Sequence, residues 1–337
     1  MSLALWHWHI EVSSKCTLHC PRCARTEVPE TLVNTELDLE FFKNNFTPEF
    51  IAEHVEKITF CGDDGDPIYA HDLIPIIQYF KSHKDIAIVI VTNGSYKKES
   101  WWQELAESLT ETDHVHFSLD GYDQKSNEQY RKNSDFESIM LGVKTLRANS
   151  NCYMTWDCIG FRFNENKLGQ MKSMARQLGF DQFQLTLSTK FGSKYSHYGN
   201  DDSLEPTNKS LISSSHRFER RIFNLSGRQL EEKYLETNNR LYETVRNIGD
   251  IKPICHIGNK GLFINSRGDF YPCCWVANRY GHNQHWLNLG SKYNLKQTNL
   301  ATVVTDEFWK NEFTKNSYEC TTKCSAKYVN KIYATEW

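Results

Sequence analysis

A chain of 337 residues, 39% hydrophobic and 13% aromatic, with nine Trp, is long enough for one large and one small domain, which excludes a disordered polymer. A formal net charge of -3 offers no footprint for nucleic acid, and no apolar stretch approaches the ~20 residues of a membrane helix, so neither nucleic acid nor membrane is an expected partner. Residues 1–9 have neither the basic nor the apolar region of a signal peptide, so a cytoplasmic location is expected, where thiols stay reduced.

From the N-terminus, short apolar runs alternate with amphipathic stretches, the order of a parallel sheet or barrel. Strands are predicted near Trp8–Ser13, Lys57–Cys61, Ala87–Thr92, His114–Leu119, Tyr153–Gly160 and Gln182–Leu187. Helices are predicted at Leu39–Asn45, Leu73–Ser82, Glu99–Ser108, Phe136–Ala148 and Lys167–Leu178. The last two end in clear stop signals, Asn149-Ser150-Asn151 and Gly179. Six strands with their crossovers make an α/β fold, a partial (β/α)6 TIM-like barrel. Residues 192–202 turn polar and read as a surface loop, Phe218–Ile248 reads as largely helical, and Pro253 ends that stretch. The expected domains are 1–192, a loop and helical connector over 193–252, and a small cysteine-bearing module over 253–337.

Eleven cysteines are many for a reducing compartment, and most fall in two groups that read as metal sites before disulfides. Cys61, Cys152 and Cys158 lie apart in apolar runs and read as small core residues. Cys16, Cys20 and Cys23 give C-x3-C-x2-C directly after the first strand. Three thiolates on one short loop can bind three irons of a [4Fe–4S] cube and leave the fourth without a protein ligand. Zinc is the alternative, although it prefers four ligands in paired C-x2-C spacings, and His19 is awkwardly placed between two thiolates.

Four further motifs follow in order, three of them at the predicted strand ends. Gly62, Gly65, Asp66 and Pro67 follow the second strand as Gly-x-x-Gly-Asp-Pro, and glycines there let backbone approach a ligand closely. Thr92-Asn93-Gly94 ends the third strand, Ser118-Leu119-Asp120-Gly121 the fourth, and Tyr130-Arg131 comes next. Strand C-terminal ends are where barrel active sites form. With the cysteine triad these motifs, in this order, resemble the radical S-adenosylmethionine (SAM) superfamily over residues 8–190. The resemblance implies that Cys16, Cys20 and Cys23 hold the SAM-binding cluster. It implies SAM contacts from Gly62, Gly65, Asp66, Asn93, Ser118, Asp120 and Arg131. Asp66 stands where the family carries Glu and would accept from the SAM amine. Ser118 and Arg131 suit its carboxylate, a hydroxyl donor beside a guanidinium fork.

Near the C-terminus, Cys255, Gly268 and Cys273 are spaced as C-x12-G-x4-C, and Cys320 and Cys324 follow. Residues 261–265 and 268–271 read as a β-hairpin that brings Cys255 and Cys273 together. This arrangement resembles SPASM and twitch auxiliary-cluster domains, in the shorter twitch form. It implies a second [4Fe–4S] cluster on Cys255, Cys273, Cys320 and Cys324, with Cys274 as the alternative to Cys273. A four-thiolate zinc ribbon is the competing assignment.

The resemblance implies an oxidoreductase or maturase. An external donor such as flavodoxin or ferredoxin reduces the first cluster, SAM is cleaved, and the 5′-deoxyadenosyl radical takes a substrate hydrogen atom. On the fifth strand, Trp156 or Asp157 could face that substrate. Asp157 is the candidate base, with an ion pair to Arg162 as the alternative role. A peptide or protein residue is the expected substrate. The alternative is an alcohol of a sugar-like or cyclitol molecule, oxidised by a twitch-type dehydrogenase. Cys16 lies near the start of the chain, which speaks against a peptide-recognition domain ahead of it. A zinc-bearing interaction module is the non-enzymatic alternative, and it leaves the strand-end motifs unexplained.

Overall fold

His7–Ile10 alternates polar and apolar side chains and forms β1, the first element in a computed structural model that describes residues 7–188, 191, 203–208, 218–222, 262–277 and 284–307. The next elements are α1 (Ala24–Glu27), α2 (Leu39–Asn45), α3 (Pro48–His54), β2 (Lys57–Phe60), α4 (Leu73–His83) and β3 (Ala87–Thr92). Then come α5 (Glu99–Glu107), β4 (His114–Ser118), α6 (Gln124–Asn127), α7 (Phe136–Asn149), β5 (Tyr153–Gly160), α8 (Leu168–Gln177) and β6 (Gln182–Leu187). The remaining described elements are β7 (Phe218–Ile222), β8 (Leu262–Ile264), β9 (Phe270–Tyr271), α9 (Gln284–Lys292) and α10 (Leu300–Thr305). Two units result: Met1–Lys15, Glu30–Ile90 and Gln229–Trp337 in the first, Cys16–Pro29 and Val91–Arg228 in the second.

In the first unit β1 lies between β2 and β8, parallel to both, and β9 returns antiparallel to β8. The strands split their side chains by the period of two. Trp8, Ile10, Ile58 and Phe60 face the helices, where the Trp8 ring lies 5.2 Å from Phe46 and 5.6 Å from Phe50, and Phe42 lies 6.4 Å from Phe60. His7, His9, Lys57 and Thr59 share the other face, paired His7 with Lys57 and His9 with Thr59. The helices start on side-chain caps: Asp38 accepts the N–H of Phe41 for α2, and Thr47 that of Phe50 for α3, with Pro48 supplying the preset first turn. α3 was not expected from the sequence. β1 is also shorter than expected, because beyond Ile10 the backbone changes partners. Glu11 N–H goes to the Ile264 carbonyl, and Val12 accepts from Leu37.

In the second unit β4, β5 and β6 are parallel, and β7 closes the edge antiparallel to β6. Val115, Phe117, Met154, Trp156 and Phe183 line the apolar face, with Phe117 5.5 Å from Trp102 of α5. His114, His116 and Ser118 alternate onto the opposite face, level with Tyr153, Thr155 and Asp157. β7 corrects the helical reading of 218–248 at its start. The open edge of β6 offers unpaired backbone groups, and pairing there outweighs the helix propensity of Glu and Arg. Residues 192–202 and 223–252 lie outside the described residues. Among the described residues no helix is long and apolar enough to cross a membrane.

Candidate functional site

The cysteine loop opens the second unit. Cys23 N–H donates to the Cys20 carbonyl at 3.2 Å, and Cys23 accepts from Thr26 and Glu27 to start α1. Between the cysteines Arg22 forms a buried ion pair with Glu27 at 3.2 Å, the side chains being 3% and 1% exposed. From outside, His19 N–H donates to the Lys132 carbonyl, and Asn133 Nδ2 donates to the Thr17 carbonyl at 2.8 Å. Asn133 holds φ +66, a left-handed conformation that Asn tolerates. Leu18 and Cys20 pack with Tyr130, Phe161 and Leu204, and Cys16 and Cys23 border this cluster. The loop shape is therefore fixed by the protein itself.

Burial pushes the Cys20 thiol up to about 11, with the Arg131 guanidinium pulling the other way. Bound iron would hold it as thiolate. Cys16 Sγ accepts from Leu18 N–H at 3.4 Å and from Asn93 Nδ2 at 3.7 Å. Among the described residues no three His, Cys, Asp or Glu side chains converge on one ion position. Three thiols on one short loop, with the Cys16 sulfur accepting from two N–H donors, fit a cube that takes one thiolate per iron.

The strand ends of the second unit are tied by two asparagines that the sequence motifs do not mark. Asn127 Oδ1 accepts the N–H groups of Asp120 and Gly121, and Asn164 Nδ2 donates to the carbonyls of Asp120 and Ile159. Both are completely buried. Asp120 accepts Arg131 Nε at 2.6 Å on one oxygen and Ile159 N–H at 2.7 Å on the other. Burial pushes the Asp120 carboxyl up, while the same pair holds Arg131 above its ordinary value. A guanidinium keeps its proton, so the pair is ionised and compensated by these contacts. Asp120 thus holds the Arg131 guanidinium in place.

On β5 the alternation resolves which side chain faces where. Trp156 points to the helices, packs against Phe180 and Phe183, and donates to the Leu119 carbonyl. Asp157 lies level with Ser118, and its Oδ2 meets His116 Nδ1 at 2.8 Å. Arg162, the alternative partner expected for Asp157, donates instead to the Glu205 carbonyl. His116 Nε2 and Asp157 Oδ1 are buried and have no hydrogen-bond partner. The His114 ring lies against His116 with centroids 4.0 Å apart and planes tilted by 36°.

In the first unit the loop after β2 wraps around a buried carboxylate. Glu11 Oε1 accepts from Asp64 N–H at 2.6 Å and from Gly65 N–H at 3.3 Å. A Cβ on Gly62 would stand 2.6 Å from that oxygen, and one on Gly65 would collide with the Ser13 carbonyl. Only glycine fits this approach. Asp66 is buried, donates its N–H to the Lys15 carbonyl, and caps the next turn by accepting Ile68 N–H at 3.2 Å. Burial, then the neighbouring Asp64 and Asp63, push the Glu11 carboxyl up to about 8, against its N–H donors.

A radical SAM superfamily profile matches residues 10–175, and the iron–sulfur cluster-binding SPASM profile matches residues 255–326. The chain belongs to the radical SAM superfamily and carries a SPASM iron–sulfur domain. Its fold class is accordingly α/β with the parallel strands of a partial (β/α)6 barrel, and its cofactors are SAM and two [4Fe–4S] clusters. SuiB of Streptococcus suis bound to SAM is similar at 14% identity and TM-score 0.58, over 99% of this chain and 72% of that one. SuiB bound to its precursor peptide SuiA matches at 14% identity and TM-score 0.59, over 96% and 70%. anSMEcpe with bound AdoMet and the Cp18Cys peptide is similar at 17% identity and TM-score 0.56, over 94% and 86%. No curated protein matches by sequence.

Within the SPASM segment, the predicted hairpin is β8–β9, with Phe263 opposite Tyr271 and Ile264 opposite Phe270. Gly268 of the C-x12-G-x4-C spacing sits in its turn at φ +91, which a side chain would strain. Asn265 Oδ1 caps that turn by accepting from Arg267 and Asp269. Cys273 and Cys274 are both buried, at 8% and 7% exposure, so burial does not choose between them. Cys255, Cys320 and Cys324 lie outside the described residues. Cys61, Cys152 and Cys158 are core residues, and burial pushes the Cys152 thiol up to about 11.

Proposed function

We propose that this radical SAM enzyme modifies a residue of a peptide or protein. Cys16, Cys20 and Cys23 hold the SAM-binding cluster. Cys255, Cys273, Cys320 and Cys324 hold the auxiliary one in a twitch-like module. The radical SAM domain takes residues 1–192, a connector 193–252 and the auxiliary module 253–337, and the enzyme works in the cytoplasm with a flavodoxin- or ferredoxin-type electron donor. When bound, the first cluster supplies the electron that cleaves SAM and so starts hydrogen abstraction. The loop at Gly62, Gly65 and Asp66 takes the SAM amine, and Ser118 and Arg131 its carboxylate. Asn93 and Asp120 brace those contacts through Cys16 and Arg131.

The observation that carries the substrate reading is the polar face of β4–β6, where Asp157 stands level with Ser118 and keeps an unpartnered oxygen. Asp157, oriented by His116, accepts the proton lost after hydrogen abstraction, and the electron that leaves the substrate with it goes to the auxiliary cluster. SuiB bound to SuiA and anSMEcpe bound to Cp18Cys support a peptide at such a site. The test is anaerobic incubation of the reconstituted protein with SAM, dithionite and synthetic copies of short peptides encoded beside its gene. A peptide mass shift with faster 5′-deoxyadenosine release supports the proposal. Turnover of cyclitols or sugars, with none of peptides, overturns it.

A further inference from the structure

Glu11 is a buried acid that no motif marks, 3% exposed, at the point where β1 ends. Asp63 and Asp64 are its acidic neighbours, and its contacts are backbone N–H groups. One oxygen accepts from Asp64 and Gly65, and the other accepts from Ser266 N–H at 3.5 Å. Ser266 belongs to the turn between β8 and β9, inside the SPASM segment. We propose that Glu11 is a positioning residue for SAM: it fixes the 62–66 loop in its binding shape and ties that loop to the auxiliary-domain hairpin. The inference rests on reading Gly62–Asp66 as the loop that takes the SAM amine.

The chemistry follows from which backbone groups Glu11 engages. With the N–H groups of Asp64 and Gly65 turned to its carboxylate, the loop offers a ligand carbonyl and carboxylate oxygens. Those are the acceptors that an ammonium group, which has donors only, requires. The glycine at 62 is part of the same device, since any side chain there would displace Glu11 Oε1.

The experiment measures SAM affinity by equilibrium dialysis on the anaerobically reconstituted full chain, with iron counted in parallel. Glu11→Ala should raise the Kd about tenfold or more at unchanged iron content, an effect of about 1.4 kcal/mol. Glu11→Gln keeps an acceptor oxygen for Asp64 and Gly65 and should restore affinity to within about threefold, whereas Glu11→Met, of similar volume but without an acceptor oxygen, should stay as weak as Glu11→Ala, a difference that simple loss of packing would not produce. If Glu11→Ala does not fold, Gly62→Ala decides, because it pushes a methyl against Oε1 and leaves the acid in place. Parent-like affinity in Glu11→Ala, or in Gly62→Ala where that variant decides, overturns the inference. Asp66→Ala separates the underlying reading: if it leaves affinity unchanged, the loop assignment fails first. If it weakens SAM while Glu11→Ala does not, the loop assignment stands and only the role of Glu11 falls.

Discussion

His9 and Glu11 of the first unit direct their buried polar atoms at backbone: His9 Nε2 meets the Cys61 carbonyl, and Glu11 takes three N–H groups. His116 and Asp157 of the second unit pair with each other instead, and each keeps one buried atom without a partner. The residue types are the same, an imidazole and a carboxylate on a polar strand face, yet the commitments differ. Groups bound to backbone set the shape of a loop and have little capacity left for a ligand. Groups with an orphaned atom carry an unmet desolvation cost that a substrate can relieve, a pattern typical of functional sites.

The largest effect that tests this division comes from the cysteines. Replacing Cys16, Cys20 and Cys23 together with Ala should abolish 5′-deoxyadenosine release and take about eight irons to about four. Replacing Cys320 and Cys324 should remove a similar amount of iron while SAM is still cleaved. A closed four-thiolate cluster has no open iron for substrate, so its remaining roles are accepting an electron or bracing the fold. Survival of an oxidised product in that second variant would exclude the electron-acceptor role. Zinc in place of iron in the parent protein would break the division entirely.

A smaller effect separates the two polar faces by stability. Glu11→Ala leaves buried N–H groups unpaired and should cost about 2–4 kcal/mol in urea unfolding, at roughly 1–3 kcal/mol per orphaned group with partial relaxation. Replacing both His116 and Asp157 by Phe and Leu removes atoms that already lack partners. It should change stability by less than about 1 kcal/mol or raise it. Equal losses in the two variants would show that His116 and Asp157 are structural as well.

Much of the architecture was legible because it is local. The six strands and five helices were visible as apolar runs and amphipathic periods, and α7 and α8 end where Ser150 and Gly179 stop them. The strand-end motifs were legible because turn chemistry is written in Gly, Asn and Asp. Long-range polar pairing was not. Glu11 meets Ser266 across 255 positions, and His116 meets Asp157 across 41. The alternation His-Trp-His-Ile-Glu in residues 7–11 and His-Val-His-Phe-Ser in β4 did carry a signal, a strand with one polar face, which apolar-run reading passes over. β7 was missed for the opposite reason, since the edge of β6 that recruits it is absent from its own sequence.

An effect read in small steps, at most about 1.4 kcal/mol per pH unit, is a pH dependence that reads His9 and Glu11 separately. Glu11 has its folded value raised from 4.5 to about 8, so the fold favours its protonated form. Its contribution is complete below about pH 4.5 and is lost as pH rises through about 8. His9 runs the other way: burial lowers it from 6.5 to about 4, so the fold favours the neutral ring that meets the Cys61 carbonyl and packs on Phe263. Its contribution is present above about pH 6.5 and is lost as pH falls through about 4. Lys57 on the same face is lowered from 10.5 to about 8 by burial, so its window lies above that of Glu11 and measurements should stop at pH 8. Urea unfolding of the parent should therefore show a stability plateau near pH 4.5–6.5, where the two slopes cancel, and decline on both sides, each group adding at most about 1.4 kcal/mol per pH unit. Glu11→Gln should remove the decline between pH 6.5 and 8 and leave stability rising from about pH 4 to 6.5, and His9→Gln should leave it falling from about pH 4.5 to 8. If Glu11→Gln keeps the parent slope between pH 6.5 and 8, the acid is already ionised in the fold, held so by its three N–H donors.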